Sequence, residues 1–256
     1  MKRNVSLAEI SDGRLYGAND MVKADCHGCG GCSDCCHGMG SSVILDPYDV
    51  YRLQTGLGKR LEVLLEEGKA EWNVVDGCIL PNLKMAGEGE ACAFLNPQGR
   101  CSIHAFRPGI CRLFPLGRYY ENGDFRYMLQ IHECSAGNRS KVKVSKWIDT
   151  PQQEKNHAFV CRWHYLLNDL EALVGNCEDE ALAKQVNMAL LQIFYLAEYD
   201  AERDFYEQFD QRYERFTAAF NLADRSEAEN SIAGRGKAEN SETGCSDARR
   251  QDTAGQ

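Results

Sequence analysis

The chain has 256 residues, of which 43% are hydrophobic, and a net charge of −9; its isoelectric point is about 5.2. This length and apolar content suit one or two domains with a buried core. Because there is no basic excess to neutralise phosphates, neither nucleic acid nor an acidic membrane is an expected partner. The sequence shows no secretory signal and no stretch of ~18 apolar residues, so we expect a cytoplasmic protein.

The segment 46–67 is predicted to form two helices. Asp46 is placed to cap the first one, with Pro47 at the first helical position and Asp49 at the third. The run at 55–58 interrupts the helical pattern, and a second amphipathic stretch ends at Gly68. Residues 72–80 then predict a short strand or hairpin.

The next part of the chain predicts β structure. Residues 92–95 and 101–104 flank the turn signal Asn-Pro-Gln-Gly-Arg at 96–100. Residues 116–131 predict a hairpin that turns at Asn122-Gly123.

From Thr150 onward the pattern predicts helices at 151–174, 178–199 and 201–222. Thr150 and Pro151 indicate the start of the first of these. Aromatic residues recur at three- and four-residue spacing in the third, which is typical of a buried face and not of a cofactor site; they are Phe205, Phe209, Tyr213, Phe216 and Phe220. The polar sequence after Asp224 predicts disorder.

These elements predict an α+β fold, with a small cysteine-rich region of short helices and hairpins and a helical C-terminal segment. We expect an N-terminal extension at 1–24 and a cysteine-cluster metal-binding domain at 25–135. A helical segment at 136–224 and a disordered tail at 225–256 are expected to follow.

The thirteen cysteines are unevenly distributed. Nine of them form two bands, the first Cys26, Cys29, Cys32, Cys35 and Cys36, and the second Cys92, Cys101, Cys111 and Cys134. In a reducing compartment such thiols stay reduced and are candidate metal ligands. In the first band, two residues between successive cysteines let both sulfurs turn toward one ion, and the glycines relieve the tight backbone. The alternative is a disulfide or catalytic-thiol cluster.

The second band is predicted to supply distant ligands. Cys92 and Cys101 lie on either side of a turn that would bring their sulfurs together. Cys111 is placed near the start of a short helix, whose dipole would stabilise a thiolate. Cys134 follows the second hairpin. Each of these cysteines alone would more often be structural, but together with the first band they are predicted ligands.

Neighbouring side chains leave several alternatives open. Cys35 and Cys36 are adjacent, so their side chains are expected to diverge, and the roles left open for one of them are a second site, a bridging position or redox chemistry. Three histidines could replace a thiolate or could be ordinary neighbours; they are His27, His37 and His104. Four arginines could offset thiolate charge or could make ordinary surface contacts; they are Arg100, Arg107, Arg112 and Arg118. All-cysteine ligation suits both zinc and iron–sulfur clusters, and the spacing does not separate them.

The cysteine motifs resemble those of a known family. The run Cys29-Gly-Gly-Cys32-Ser-Asp-Cys35-Cys36 matches C-x2-C-x2-C-C, the signature of the zinc- or iron-chelating domain of YkgJ-type cysteine-cluster proteins. The block 99–118 resembles the same family, with G-x-C-S-I-[YH] followed by R-P-x-x-C-R-x-F-P. Over residues 25–135 the resemblance implies that the family's cysteines are Cys29, Cys32, Cys35, Cys36, Cys92, Cys101 and Cys111. Cys134 fits a trailing cysteine, and Cys26 is an addition upstream.

The resemblance also bears on activity. Flagellin lysine N-methylases carry this domain, which implies methyl transfer from S-adenosylmethionine to a protein lysine as an alternative function. The chain has no G-x-G-x-x-G after a strand and no C-x3-C-x2-C radical spacing, so such an activity would need another arrangement. The sequence thus leaves three alternatives open. The protein is a metal-binding protein, a metal-dependent methylase or redox enzyme, or an interaction module in which zinc only stabilises the fold. In each case, metal removal is expected to unfold the cysteine-rich region.

Overall fold

The computed structural model describes residues 6–26, 32–87, 89–175 and 179–222. Its helices are α1 (Leu7–Ile10), α2 (Pro47–Leu57), α3 (Leu61–Glu66), α4 (Gly109–Leu113), α5 (Val144–Ile148), α6 (Gln153–Val174), α7 (Glu180–Leu191) and α8 (Phe205–Ala219). Its strands are β1 (Ser11–Tyr16), β2 (Met21–Asp25), β3 (Ala70–Val75), β4 (Cys78–Leu83), β5 (Met85–Ala86), β6 (Ala91–Cys92), β7 (Leu116–Glu121), β8 (Asp124–Gln130) and β9 (Ser140–Lys143). This confirms the predicted α+β class.

The strands form small antiparallel sheets. One sheet has the order β1-β8-β7, and three pairs are β2-β9, β3-β4 and β5-β6. The predicted hairpin at 116–131 is confirmed, with Leu116 opposite Leu129 and Glu121 opposite Asp124. Its turn residues Asn122 and Gly123 have φ of 54° and 84°. Two positive φ values are typical of a type I′ turn, which is why this dipeptide favours a tight hairpin.

The first long helix begins and ends as local chemistry predicts. The Asp46 side chain accepts a hydrogen bond from the Asp49 backbone N–H at 2.8 Å, and Pro47 opens α2. Gly58 ends it in the left-handed region, with φ of 64°. Inside α2, a Cβ at Gly56 would lie 2.5 Å from the Phe106 ring. Glycine at this position therefore lets the 3₁₀ turn His104–Phe106 pack directly on the helix.

The core joins the cysteine-rich region to the C-terminal helices. Leu45 and Leu53 are fully buried in the same cluster as Phe209 and Phe216 of α8. The Tyr195 hydroxyl donates a hydrogen bond to the Leu45 carbonyl at 3.0 Å, which links the two regions through polar contact as well. The aromatic face of α8 is buried from Phe205 to Phe216, as its periodicity predicts.

Two element predictions are wrong in detail. Helix α6 begins at Gln153 and not near Pro151, because Gln152 has a φ of 51° and cannot belong to a right-handed helix. The predicted strand at 101–104 is only a single bridge between Leu95 and Cys101, followed by the 3₁₀ turn. The predicted tail at 225–256 lies outside the described residues.

Two further helices are shorter than predicted. Helix α8 begins at Phe205 because the Asp204 side chain caps it, accepting hydrogen bonds from the Tyr206 and Glu207 backbone N–H groups. The α-helical part of α7 ends at Leu191 and continues as a π-helical turn over Gln192–Leu196. In the described ranges, no helix is both long and apolar enough to cross a bilayer.

Candidate metal centre

The first cysteine band is shaped by a short turn. Residues Asp34–Cys36 form a 3₁₀ turn, closed by a hydrogen bond from the Cys36 backbone N–H to the Ser33 carbonyl at 2.8 Å. Cys35 and Cys36 both line one cavity, so the expected divergence of these adjacent side chains is wrong. Within this tight turn the Cys36 thiol donates a hydrogen bond to the Cys35 sulfur. Cys32, which is exposed, lines the same cavity.

The second band reaches the same cavity through a loop. The Asn96 side chain accepts hydrogen bonds from the Gln98 and Arg100 backbone N–H groups at 3.0 and 2.8 Å. These bonds close the predicted turn and bring Leu95 opposite Cys101. Cys92, at the end of β6, and Cys101 then face the same space. Asparagine is suited to this role because its side-chain carbonyl can replace a backbone acceptor in a turn.

Cys111 reaches the cavity from α4, and Asp49 fixes the start of that helix. Oδ1 of Asp49 accepts a hydrogen bond from the Gly109 backbone N–H at 2.7 Å. Asp49 is itself buried, being only 3% exposed. Burial and then the nearby Asp46 carboxyl raise its pKa well above the usual range. The sequence analysis placed Asp49 in a helix cap and missed this second contact, because no local signal joins residues 49 and 109.

Six cysteines therefore surround one cavity of about 180 Å³. They are Cys32, Cys35, Cys36, Cys92, Cys101 and Cys111, and all six are free thiols. Apolar side chains such as Val43, Leu83 and Ile103 form much of the remaining wall, and Arg100 and Arg107 also reach it. This donor set fits zinc or iron, because thiolates are the ligands that both metals take in closed protein sites.

The cavity thiols differ in acidity. The hydrogen bond from Cys36, assisted by the Arg107 charge, lowers the pKa of Cys35 to about 7. The same bond and burial raise the pKa of Cys36. Burial also raises the pKa of Cys92, Cys101 and Cys111. Without metal, most of these groups are thiols, so metal binding must release protons and becomes stronger as pH rises.

The predicted thiolate at the start of α4 is thus wrong for the metal-free protein. Burial, and then the charge of Asp49, raise the pKa of Cys111. A helix of five residues carries a weak dipole, and Cys111 is already its third residue. The desolvation of a buried sulfur outweighs that dipole.

Some of the neighbouring histidines and arginines line the cavity, and others are absent from its described wall. His104 lines the cavity, and burial followed by the Arg107 charge lowers its pKa, which keeps the imidazole neutral. His37 is turned toward the Ser33 carbonyl, with Nδ1 2.9 Å from it. Arg112 donates to the Ile148 carbonyl at 3.1 Å and Arg118 is buried; neither is among the cavity residues. His27 lies outside the described residues.

Of the three remaining predicted ligands, Cys26 and Cys134 are absent from the described wall of the cavity. Cys29 lies outside the described residues. Cys26 follows Asp25, whose side chain accepts a hydrogen bond from the Ser140 hydroxyl at 3.1 Å. Cys134 precedes Ser135, whose hydroxyl donates to the Asp34 carboxylate. The segment that carries Cys134 is therefore tied to the turn that carries Cys35 and Cys36.

The fold and the cavity define a class of protein: a small α+β domain whose free thiols converge from distant segments. Residues 26–140 match the family model described as "CxxCxxCC: Putative zinc- or iron-chelating domain". This match is to the family that the sequence resembles, and over residues 26–140 it confirms that resemblance. No curated protein and no solved structure matches the chain.

The contact between Asp49 and α4 predicts a matched pair of substitutions. Asp49→Ala removes the acceptor of the Gly109 N–H and should weaken metal binding about tenfold, the lower end of the effect of groups that orient ligands. Asp49→Asn keeps an oxygen at Oδ1 and should bind metal within about threefold of the native protein. Competition with a chromogenic chelator measures both values. Equal losses in the two variants would contradict the role of this hydrogen bond.

The pKa of Cys35 predicts selective alkylation of the metal-free protein. The thiolate is the reactive form, so iodoacetamide should modify Cys35 at half its maximal rate near pH 7. Cys36→Ala removes the S–H donor and should raise that midpoint toward the ordinary value of about 8.5. Peptide mass spectrometry across a pH series gives the midpoints. If the Cys36→Ala variant keeps the native midpoint, the hydrogen bond is not the cause.

Proposed function

We propose that residues 26–140 chelate zinc or iron through the cysteines of the cavity. The observation that carries the proposal is that, among the described residues, six cysteines from four separate segments line one cavity. A cysteine that is only structural packs as a small apolar side chain. Packing alone therefore gives no reason for several cysteines to line the same cavity. Cys29 is proposed as a further ligand because it continues the spacing of the first band. Cys26 and Cys134 are proposed on the weaker ground of their contacts near this region.

The number of thiols favours more than one metal atom in each chain. A tetrahedral zinc or iron ion takes about four protein ligands, and the cavity offers six sulfurs. Two divalent ions together with the Arg100 and Arg107 guanidinium groups would balance the charge of six thiolates. An iron–sulfur cluster, whose sulfides add to the cysteine sulfurs, is the other multi-atom centre of this chemistry.

The size of the cavity bears on the methylase alternative. Pockets that hold small organic ligands measure about 300–1,000 Å³, whereas this one measures about 180 Å³. That space suits a metal centre better than a nucleoside derivative such as S-adenosylmethionine. Lysine methylation, redox catalysis, a zinc-stapled interaction module and a protein substrate stay predictions from the sequence. A cytoplasmic location, also predicted, would keep the thiols reduced.

Metal analysis tests the proposal. We expect the cavity of protein purified without oxygen to hold at least one equivalent of zinc or iron per chain, and two where zinc alone is bound. Iron with an equal amount of acid-labile sulfide would identify an iron–sulfur centre. A chain that carries less than about one tenth of an equivalent, even after incubation with either metal under reducing conditions, would overturn the proposal.

A further inference from the structure

A second group of metal-ligand side chains lies outside the cysteine cavity. Asp124 opens β8, and His157 and Cys161 stand four residues apart on α6, so both point to one face of the helix. Nε2 of His157 lies 2.5 Å from Oδ1 of Asp124, and Sγ of Cys161 lies 3.7 Å from the same oxygen. The three ligand atoms all lie within 4.8 Å of one another.

The surrounding structure holds the three side chains in place. The imidazole of His157 stacks on the Phe125 ring, with centroids 4.2 Å apart and an angle of 22°. Cys161 is buried, at 5% exposure. The Tyr165 hydroxyl accepts a hydrogen bond from the Gly123 backbone N–H at 3.0 Å, which ties the hairpin turn to α6. The relative position of hairpin and helix is thus fixed independently of any ion.

The distances fit a zinc-like ion after one small movement. Bond lengths of about 2.3 Å to sulfur and about 2.0–2.1 Å to nitrogen or oxygen place tetrahedral ligands about 3.3–3.7 Å apart. The sulfur–oxygen distance already has this value, whereas the His157–Asp124 distance must open by roughly 1 Å. The Asp124 side chain is 59% exposed, but its Oδ1 also accepts a hydrogen bond from the Phe125 backbone N–H at 2.7 Å, which this movement would have to stretch.

The ligand set leaves room for a fourth ligand. One nitrogen, one oxygen and one sulfur make three protein ligands, which is the number that zinc takes where it keeps an open position for water or substrate. His157 also lines a separate cavity of about 360 Å³, together with Gln153, Glu154 and Asn156. An exogenous ligand would therefore have space on the polar side of this histidine.

The plainer explanation is an exposed ion pair between His157 and Asp124, which would contribute little to stability. That explanation treats Cys161 as an ordinary core residue, whereas its sulfur also lies 3.7 Å from Oδ1 of Asp124 and within 4.8 Å of the His157 ligand nitrogen. The geometry points to a binding site for a divalent transition-metal ion, of zinc-like chemistry, formed by Asp124, His157 and Cys161. It uses none of the cavity cysteines.

Zinc content of the full-length chain tests the site. After saturation with zinc and removal of the free metal, the variants Asp124→Ala, His157→Ala and Cys161→Ala should each hold one equivalent less than the native chain. Loss of one of three ligands weakens binding by at least the 10- to 100-fold seen for groups that only orient ligands. Asp124→Ala changes an exposed hairpin position and spares the core, so it keeps the test valid where Cys161→Ala folds poorly.

Cys78→Ala is the matched control. Cys78 is also a buried cysteine, but it lies on β4 and belongs neither to the cavity wall nor to this group. The control should retain the native zinc content. Equal zinc in the native chain and the three variants would overturn the site, as would an equal loss in the control. The cavity cysteines are intact in every variant, so a failure here is distinguishable from a failure of the proposed function.

Discussion

Replacing Phe209 with alanine is expected to lower the free energy of unfolding by about 3–5 kcal/mol, the range for large-to-small changes in a core. Phe209 is fully buried. Its ring packs edge-on against Phe159 at 4.7 Å and also contacts Phe194 and Tyr213, at 5.8 Å each. A cavity in this aromatic cluster cannot close easily, because its neighbours come from three different elements. Urea unfolding followed by circular dichroism measures the change.

Met188→Ala is the control for this prediction. Met188 lies on α7 and is 60% exposed, so its truncation should change stability by less than about 0.5 kcal/mol. Because α8 shares one core with the cysteine-rich region, the helical signal and metal release should follow the same transition. A loss below about 1 kcal/mol for Phe209→Ala, or separate transitions in the native protein, would contradict a shared core.

Replacing Cys101 with alanine is expected to weaken metal binding about 100- to 1,000-fold. Structural zinc sites bind with about 10–16 kcal/mol, which spread over four ligands gives about 2.5–4 kcal/mol for each. Each 1.4 kcal/mol corresponds to a factor of ten in affinity. Cys101 is expected to show this full effect because the turn at Asn96 holds it against Cys92 in the cavity wall. Chelator competition under reducing conditions gives the affinity.

Cys78→Ala removes the same atoms from a buried cysteine outside the cavity and should change affinity by less than about threefold. Cys134→Ala makes a further comparison. Cys134 is absent from the described cavity wall, so a loss as large as that of Cys101→Ala would add it to the ligands. Identical affinities for Cys101→Ala and the native chain would contradict the role of the cavity.

The features that could be predicted from the sequence have local causes. Asp46 and Pro47 specify the start of α2, and Asn122-Gly123 specifies a hairpin, through contacts within a few residues. The start of α6 could not be predicted from Thr150 and Pro151. Gln153 there donates from its side chain to the Ser145 carbonyl at 2.7 Å, a contact with the preceding helix that no capping pattern contains.

In the candidate site, too, the local features could be predicted from the sequence and the long-range contacts could not. Cys32, Cys35 and Cys36 of the first band line the cavity together with Cys92 and Cys101 of the predicted turn; that they bind metal stays a prediction. The hydrogen bond from Gly109 to Asp49 spans sixty residues and left no pattern in the sequence. For the second group, the spacing of His157 and Cys161 was a signal that could have been used. Asp124 joins them only through the packing of the hairpin on α6.

The shared core also changes what metal removal should do. The sequence alone suggested that the whole cysteine-rich region unfolds without metal. Leu45, Leu53 and Leu80 of this region are instead buried in the core that α8 completes. We therefore expect metal removal to loosen only the loops that carry the cysteines, such as residues 93–103, while α2 and the β3-β4 hairpin stay folded. Hydrogen exchange with and without metal measures this difference, and exchange that accelerates equally throughout would contradict it.

X-ray absorption at the edge of the bound metal tests the central claim most directly. Ligation by the cavity cysteines predicts a first shell made of sulfur, at about 2.3 Å, with no nitrogen or oxygen scatterer beyond the contribution of the second group. The His157→Ala variant should give the sulfur shell alone. A first shell dominated by nitrogen or oxygen at about 2.0–2.2 Å in that variant would contradict metal binding by the cysteines of the cavity.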